Sequence, residues 1–206
     1  MIFGLFKNKN KIATEIYNTI GPHIELAKQF GVIETGSSFG HQFVEDKYLV
    51  SFFNTYIAQA AKYSYKIKKP VDSGYITIYA AELLDKEYFT GKIPGFMSPV
   101  EYYSSTVKSL YYEGGEEYRQ AAADSTLFYA VLSGWSELLE QFQSNATYKK
   151  AIKYVDSSKH KKLLEEAERL MQTPMLASKN APRNIKIAHH ILELTFIKRL
   201  NKVFKV

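Results

Sequence analysis

The stretch that decides the fold runs from Glu116 to Gln143 and has the sequence EEYRQAAADSTLFYAVLSGWSELLEQFQ. Its apolar and small residues recur at alternating spacings of three and four: Tyr118, Ala121, Ser125, Phe128, Leu132, Trp135, Leu139 and Phe142. This heptad pattern is typical of an α-helix that buries one face. We therefore predict a central helix over 116–143 that packs on two neighbours. Gly134 costs about 1 kcal/mol relative to Ala inside a helix, so it predicts close packing or a local kink.

The remaining chain also predicts helices separated by Gly- and Pro-containing turns. The segments fall at about 11–20, 23–30, 44–67, 72–88, 98–114, 148–155, 159–172 and 182–203. The run from Tyr75 to Tyr79 has strong β propensity and opposes the helix over 72–88. The sequence thus predicts an all-α protein: a single compact domain of seven or eight helices over residues 1–206, built around the heptad-patterned helix.

Composition narrows the class of protein. The chain has 206 residues and no cysteine. Disulfides, thiolate metal sites and cysteine nucleophiles are therefore excluded. No apolar run approaches the ~20 residues of a membrane span, and the apolar start precedes its lysines, the reverse of a secretory signal. We expect a cytoplasmic protein.

The N-terminal segment 1–10 combines an apolar start with basic residues. Ile2, Phe3, Leu5 and Phe6 precede Lys7 and Lys9. A flexible arm, insertion at a membrane surface, and packing into the fold or a partner all remain open for this segment.

Charge is distributed unevenly along the chain. Residues 101–145 carry a net charge of −5 and residues 146–206 a net charge of +9. The last predicted helix has an apolar face and is rich in cations. In this C-terminal region we predict five cations as partner-binding residues: Lys186, Lys198, Arg199, Lys202 and Lys205. A basic amphipathic helix suits a partner's groove, an anionic membrane or phosphates. The alternative is a core helix whose terminal cations complement its dipole.

Catalytic patterns are sparse. Neither phosphate-binding glycine fingerprint occurs, and Gly36-Ser37-Ser38-Phe39-Gly40 lacks the strand that a serine nucleophile elbow requires. His189 and His190 lie four and three residues before Glu193, a spacing that fits a helix-surface hydrogen bond as well as metal ligation. Glu137 and Glu140 are expected on a solvated helix face. We expect no metal and no cofactor.

These features predict a non-enzymatic helical protein that binds another macromolecule, in the first place a protein partner, in an adaptor, inhibitor or immunity-type role. Two alternatives remain open. The first is binding of nucleic acid or an anionic membrane surface through the basic C-terminal region. The second is an enzyme or small-ligand pocket that uses His189 or His190 with carboxylates. The oligomeric state is open as well.

Overall fold

Helices form all the regular secondary structure of the residues that the structure describes. The computed structural model describes residues 2–29, 46–88, 115–157, 161–170 and 181–204. The helices are α1 (Ile2–Tyr17), α2 (Gly21–Gln29), α3 (Lys47–Gln59), α4 (Pro70–Tyr88), α5 (Glu116–Ser133), α6 (Ser136–Glu140), α7 (Ala146–Asp156), α8 (Lys161–Leu170), α9 (Ala181–Leu192) and α10 (Lys198–Phe204). The predicted all-α class is confirmed. The predicted helix over 98–114 and the motif Gly36-Ser37-Ser38-Phe39-Gly40 lie outside the described residues.

The central helix ends earlier than the heptad pattern predicts. Helix α5 stops at Ser133, and Gly134 adopts a left-handed conformation with φ 65°. The amide of Trp135 donates to the carbonyl of Ala130 at 3.1 Å, and that of Gly134 donates to Val131 at 3.2 Å. These two bonds form the Schellman motif, in which glycine is favoured because it lacks a Cβ. The prediction of one helix over 116–143 is therefore wrong: Gly134 ends α5, and α6 begins two residues later.

Helices α3 and α5 form the centre of the core. Phe52 and Tyr56 of α3 pack against Phe128 of α5, with ring centroids 6.1 and 5.0 Å apart. Phe196 meets Phe52 from the C-terminal helix at 5.0 Å. Buried aromatic side chains contribute large apolar areas and favour such tilted pairs. The inner half of the predicted seam, from Ala121 to Leu132, is fully buried, as the heptad pattern predicts.

The C-terminal helix belongs to the core. Its predicted apolar face is buried: Ile185, Ala188, Leu192, Phe196 and Leu200. Helix α9 packs on α5, α7 and α8, and α10 contacts α3. An amphipathic helix binds a membrane through its apolar face, and here that face is already covered by the protein's own residues. None of the described helices has the length and apolar character needed to cross a membrane.

Two helix boundaries differ from the sequence-based prediction. Helix α1 begins at Ile2 rather than near Lys11, so residues 2–10 are helical; the side chains of residues 2–7 lie outside the described set. Helix α4 begins at Pro70, where the fixed φ of proline suits the first turn. The β-prone run from Tyr75 to Tyr79 is helical, because Ile76 and Ala80 bury one face of α4 in the core.

Two short π-helical turns interrupt the α-helical geometry. Ala60–Ser64 follows α3, and Glu193–Ile197 joins α9 to α10. A π-turn widens the helix by one residue and is frequent at functional sites. These turns supply side chains to the clefts described below.

Candidate functional site

Three of the five predicted partner-binding cations line one cleft, which we call the C-terminal cleft. It has a volume of about 650 Å³ and is lined by Tyr48, Glu116, Glu117, Gln120, Asp124, Leu194, Thr195, Lys198, Arg199, Asn201 and Lys202. The start of α5 forms one wall, and the second π-turn with α10 forms the other. This volume is within the range of small-ligand pockets. Residues from the start of α5 and cations of α10, which are far apart in the sequence, thus line the same cleft.

Arg199 is the most heavily bonded residue of this cleft. Its guanidinium donates to Asp46 at 2.8 Å and to Glu117 at 2.9 Å. Asp46 also caps α3 by accepting a hydrogen bond from the amide of Leu49 at 2.9 Å. Burial lowers the pKa of Arg199, but the hydrogen bonds and charges of Asp46 and Glu117 outweigh it, so the net shift is upward. Arg199 therefore fastens α10 to the starts of α3 and α5.

A buried carboxylate lies deeper in the same cleft. Asp124 accepts hydrogen bonds from Tyr48 at 2.6 Å and from Gln120 at 3.0 Å. Burial and, next, the negative charge of Asp124 raise the pKa of Tyr48 far above its usual value, so its hydroxyl stays protonated and donating. Asp124 therefore holds the side chains of Tyr48 and Gln120 in the wall of the cleft.

Lys198 and Lys202 differ from Arg199 because no described residue forms an ion pair with them. Among the described residues, no carboxylate oxygen lies within 4.0 Å of either ammonium. Both side chains are exposed at the rim of the cleft. They are the cations here that an external group can neutralise.

The other two predicted cations are not in this cleft. Lys186 of α9 forms an ion pair with Glu168 of α8 at 3.0 Å, which links those two helices. Lys205 lies outside the described residues. Glu137 and Glu140 are exposed on α6, as expected for a solvated face.

The two C-terminal histidines form part of a buried cluster with His23 of α2. The Nδ1 atoms of His23 and His189 are 2.6 Å apart, and Glu193 lies 2.7 Å from Nδ1 of His190 and 3.4 Å from Nε2 of His189. His190 also stacks on Tyr154, with ring centroids 3.6 Å apart. Sequence spacing indicated the two contacts to Glu193, whereas His23 is 166 residues from His189 and was missed.

Burial and neighbouring charges act on the ionisable groups of this cluster. In the close contact of His23 with His189, either Nδ1 atom can be the donor, depending on the tautomers. Burial lowers the pKa of His23 well below its usual value, and the adjacent His189 lowers it further, against an opposite effect of Glu193. Burial raises the pKa of Glu193, but His189 and His190 outweigh it and bring that pKa to about 2.

The cluster does not make a metal site. His189 faces His23 through Nδ1 and Glu193 through Nε2, on opposite sides of its ring. An imidazole coordinates a metal ion through one nitrogen, so His189 cannot share one ion with both His23 and Glu193. Across the described ranges, no group of three or more histidine or carboxylate side chains is placed to hold a metal ion.

A second cleft, which we call the lysine cleft, was not predicted from the sequence. It has a volume of about 840 Å³ and lies between the end of α3 with its π-turn and the start of α4. It is lined by Asn54, Thr55, Ala58, Gln59, Lys62, Tyr63, Lys66, Ile67, Lys68, Lys69, Pro70, Ser73 and Tyr118. The signal was visible as four lysines within eight residues, 62–69. In the sequence they are explained equally well as cations at a helix C-terminus.

Comparisons with protein-family models, with curated proteins and with solved structures found no match to this chain.

Proposed function

We propose that this protein is a non-enzymatic binding protein whose partner is another protein, and that the partner docks in the C-terminal cleft. The observation that carries the proposal is the pair of free ammonium groups, Lys198 and Lys202, at the rim of a preformed cleft that also carries Glu116 and Glu117. A lack of cysteine fits a reducing compartment, so we propose the cytoplasm as its location.

The mixed charge of the cleft favours a polypeptide over a nucleic acid. Lys198 and Lys202 attract carboxylates or phosphates, but Glu116 and Glu117 are exposed on the opposite wall. A phosphodiester backbone carries one sign of charge and is repelled by that wall. A protein segment can present an acidic residue to one wall and a basic residue to the other, which is how charge complementarity selects partners.

The cleft is also preorganised. Arg199 is fixed by Asp46 and Glu117, and Tyr48 is fixed by Asp124. A surface that is ordered before binding loses less conformational entropy on association. Leu194 and the side-chain stems of the lysines provide apolar contact between the charges.

The experiment uses a photo-crosslinking amino acid in place of Asn201, an uncharged residue that lines the cleft. Crosslinking in the native cell is compared with a control placement at Lys150, which is exposed on α7. We expect one protein to be captured from position 201 and not from position 150. The captured protein is then purified, and its affinity for the full chain is measured by calorimetry.

Charge reversal decides whether the captured protein occupies the cleft. The double variant Lys198→Glu, Lys202→Glu is expected to weaken its binding about tenfold or more. The matched control, Lys149→Glu with Lys150→Glu on α7, has the same change in net charge and is expected to leave the affinity unchanged. Equal loss in both double variants, or capture of nucleic acid alone, would contradict the proposal.

The histidine cluster gives no comparable support for an enzyme. His23 and His189 are about 1% and 2% exposed, and no histidine is among the described residues that line the two clefts.

A further inference from the structure

We propose that the lysine cleft is a binding site for single-stranded nucleic acid, separate from the C-terminal cleft. The juxtaposition that carries this inference is an exposed tyrosine, Tyr63, beside four lysines that have no internal ion pair, in a concave surface between α3 and α4.

The charge of the lysine cleft has one sign. Lys62, Lys66, Lys68 and Lys69 line it, and none of the described residues that line it is acidic. Within the described parts of the chain, no carboxylate oxygen lies within 4.0 Å of any of these four ammonium groups. Asp72, the neighbouring acid on α4, pairs with Lys9 at 2.5 Å. The charge of the cleft is therefore complementary to a ligand with several negative charges.

Aromatic and apolar side chains lie among these cations. Tyr63 is 36% exposed, and Tyr118 of α5 lines the opposite side. The Tyr63 ring is supported from within by Trp135, at a centroid distance of 5.0 Å. Alternation of cations with aromatic rings is how proteins bind single strands, because phosphates meet the cations and bases stack on the rings.

The backbone presents these lysines from a strained turn. Lys66 has φ 58° and is the non-glycine residue in the left-handed region among the described residues. Hydrogen bonds on each side hold the turn: Tyr65 donates to Ala60 at 3.3 Å and Ile67 to Ala61 at 3.0 Å. Strained conformations of this kind persist where the surrounding structure fixes them, and they cluster at ligand-binding sites. The backbone strain at Lys66 and the cluster of lysines both favour a ligand-binding site here.

The shape of the site decides between polyanions. A membrane surface is flat and a double helix is a stiff cylinder, so neither follows a concave cleft as closely as a flexible single strand does. An acidic peptide meets the charge of such a cleft but has no bases to stack on the tyrosine rings. A single strand uses both the charge and the rings.

The experiment measures fluorescence anisotropy of a labelled 12-nucleotide oligothymidylate with the full chain, from 50 to 300 mM salt. A 12-base-pair duplex, a 12-residue polyglutamate peptide and vesicles with anionic lipid are the comparison ligands. Four phosphate contacts predict a slope of log K against log salt of about −2.8, at about −0.7 per contact. We expect the single strand to bind most tightly of the four ligands.

Two kinds of variant separate charge from stacking. Lys68→Ala with Lys69→Ala should weaken binding and bring the slope to about −1.4. Tyr63→Leu should weaken binding about tenfold and leave the slope unchanged, because a stacking contact releases no counterion. Lys149→Ala with Lys150→Ala is the matched control and should change neither. Circular dichroism melting confirms that each variant folds.

Each other outcome overturns the inference. If polyglutamate binds more tightly than the oligonucleotide, the cleft is a site for acidic peptides. If the duplex or the vesicles bind more tightly, that ligand is favoured over the single strand. Binding that depends equally on Lys149 and Lys150 would place the contact outside the cleft. No binding of the oligonucleotide at 50 mM salt would refute the site.

Discussion

Substitution of Arg199 tests how the burial of an ion pair affects the stability of this fold, because its two ion pairs differ in burial. The Asp46 side chain is 7% exposed, whereas that of Glu117 is 50% exposed. Arg199→Ala leaves the Asp46 carboxylate buried with the amide of Leu49 as its remaining described partner. Breaking a fully buried pair costs about 3–5 kcal/mol. Since Asp46 keeps that one donor, we expect a loss of about 2–3 kcal/mol in the free energy of unfolding.

The exposed pair should behave differently. Glu117→Ala is expected to cost less than about 1 kcal/mol, because solvent screens the charge of a half-exposed side chain. Lys202 lines the same cleft and forms no ion pair with a described residue, so Lys202→Ala is the control. We expect it to change the free energy of unfolding by less than about 0.5 kcal/mol.

Urea unfolding followed by circular dichroism at the helical band measures these differences. A double-mutant cycle isolates each pair, and the coupling of Arg199 with Asp46 should exceed its coupling with Glu117 by at least about 1 kcal/mol. If Arg199→Ala costs no more than Glu117→Ala, the reasoning from burial is refuted, and Arg199 is a surface cation whose role is outside the chain.

Three further outcomes are expected. Gly134→Ala should cost about 1–2 kcal/mol, because alanine strains the left-handed φ that ends α5; an unchanged urea midpoint would contradict this. Asn145→Ala should cost about 1 kcal/mol, since it removes the side-chain cap on the amide of Tyr148, and Asn145→Asp should retain most of that stability. The pKa of His23 lies below that of the unfolded chain, so the unfolded state binds the extra proton; stability is therefore complete above about pH 6.5 and falls below it, by up to about 1.4 kcal/mol per pH unit. His23→Phe should flatten that dependence between pH 7 and 5, and an equally steep fall in the variant would assign it to other groups.

The two clefts share a feature of the backbone. The first π-turn supplies Lys62 and Tyr63 to the lysine cleft, and the second supplies Leu194 and Thr195 to the C-terminal cleft. A π-turn shifts the register of the following residues around the helix axis. Ala60 and Ala61 in the first turn and Phe196 and Ile197 in the second remain buried. Each turn therefore contributes residues both to the core and to a cleft.

The heptad pattern and the Gly- and Pro-containing turns determined the class of fold without tertiary information. The spacing from Ala121 to Leu132 indicated the central helix, and Pro182 indicated the start of the last one within a residue. These are local effects: burial of one helix face and satisfaction of terminal amides depend on residues a few positions apart. For the same reason the contacts of His189 and His190 with Glu193 were visible in the spacing.

The tertiary structure decided what local patterns leave open. Gly134 fits a helix interior or a left-handed cap; in the fold it caps α5, and Trp135 beyond it packs on Tyr63, which is distant in the sequence. The tertiary structure also decided which cations are free. Lys186 and Arg199 are taken by carboxylates on other helices, while Lys198 and Lys202 are not. A sequence pattern gives the charge of each residue, but free energy depends on distance and burial, and these are properties of residues that are far apart in the chain and close in space.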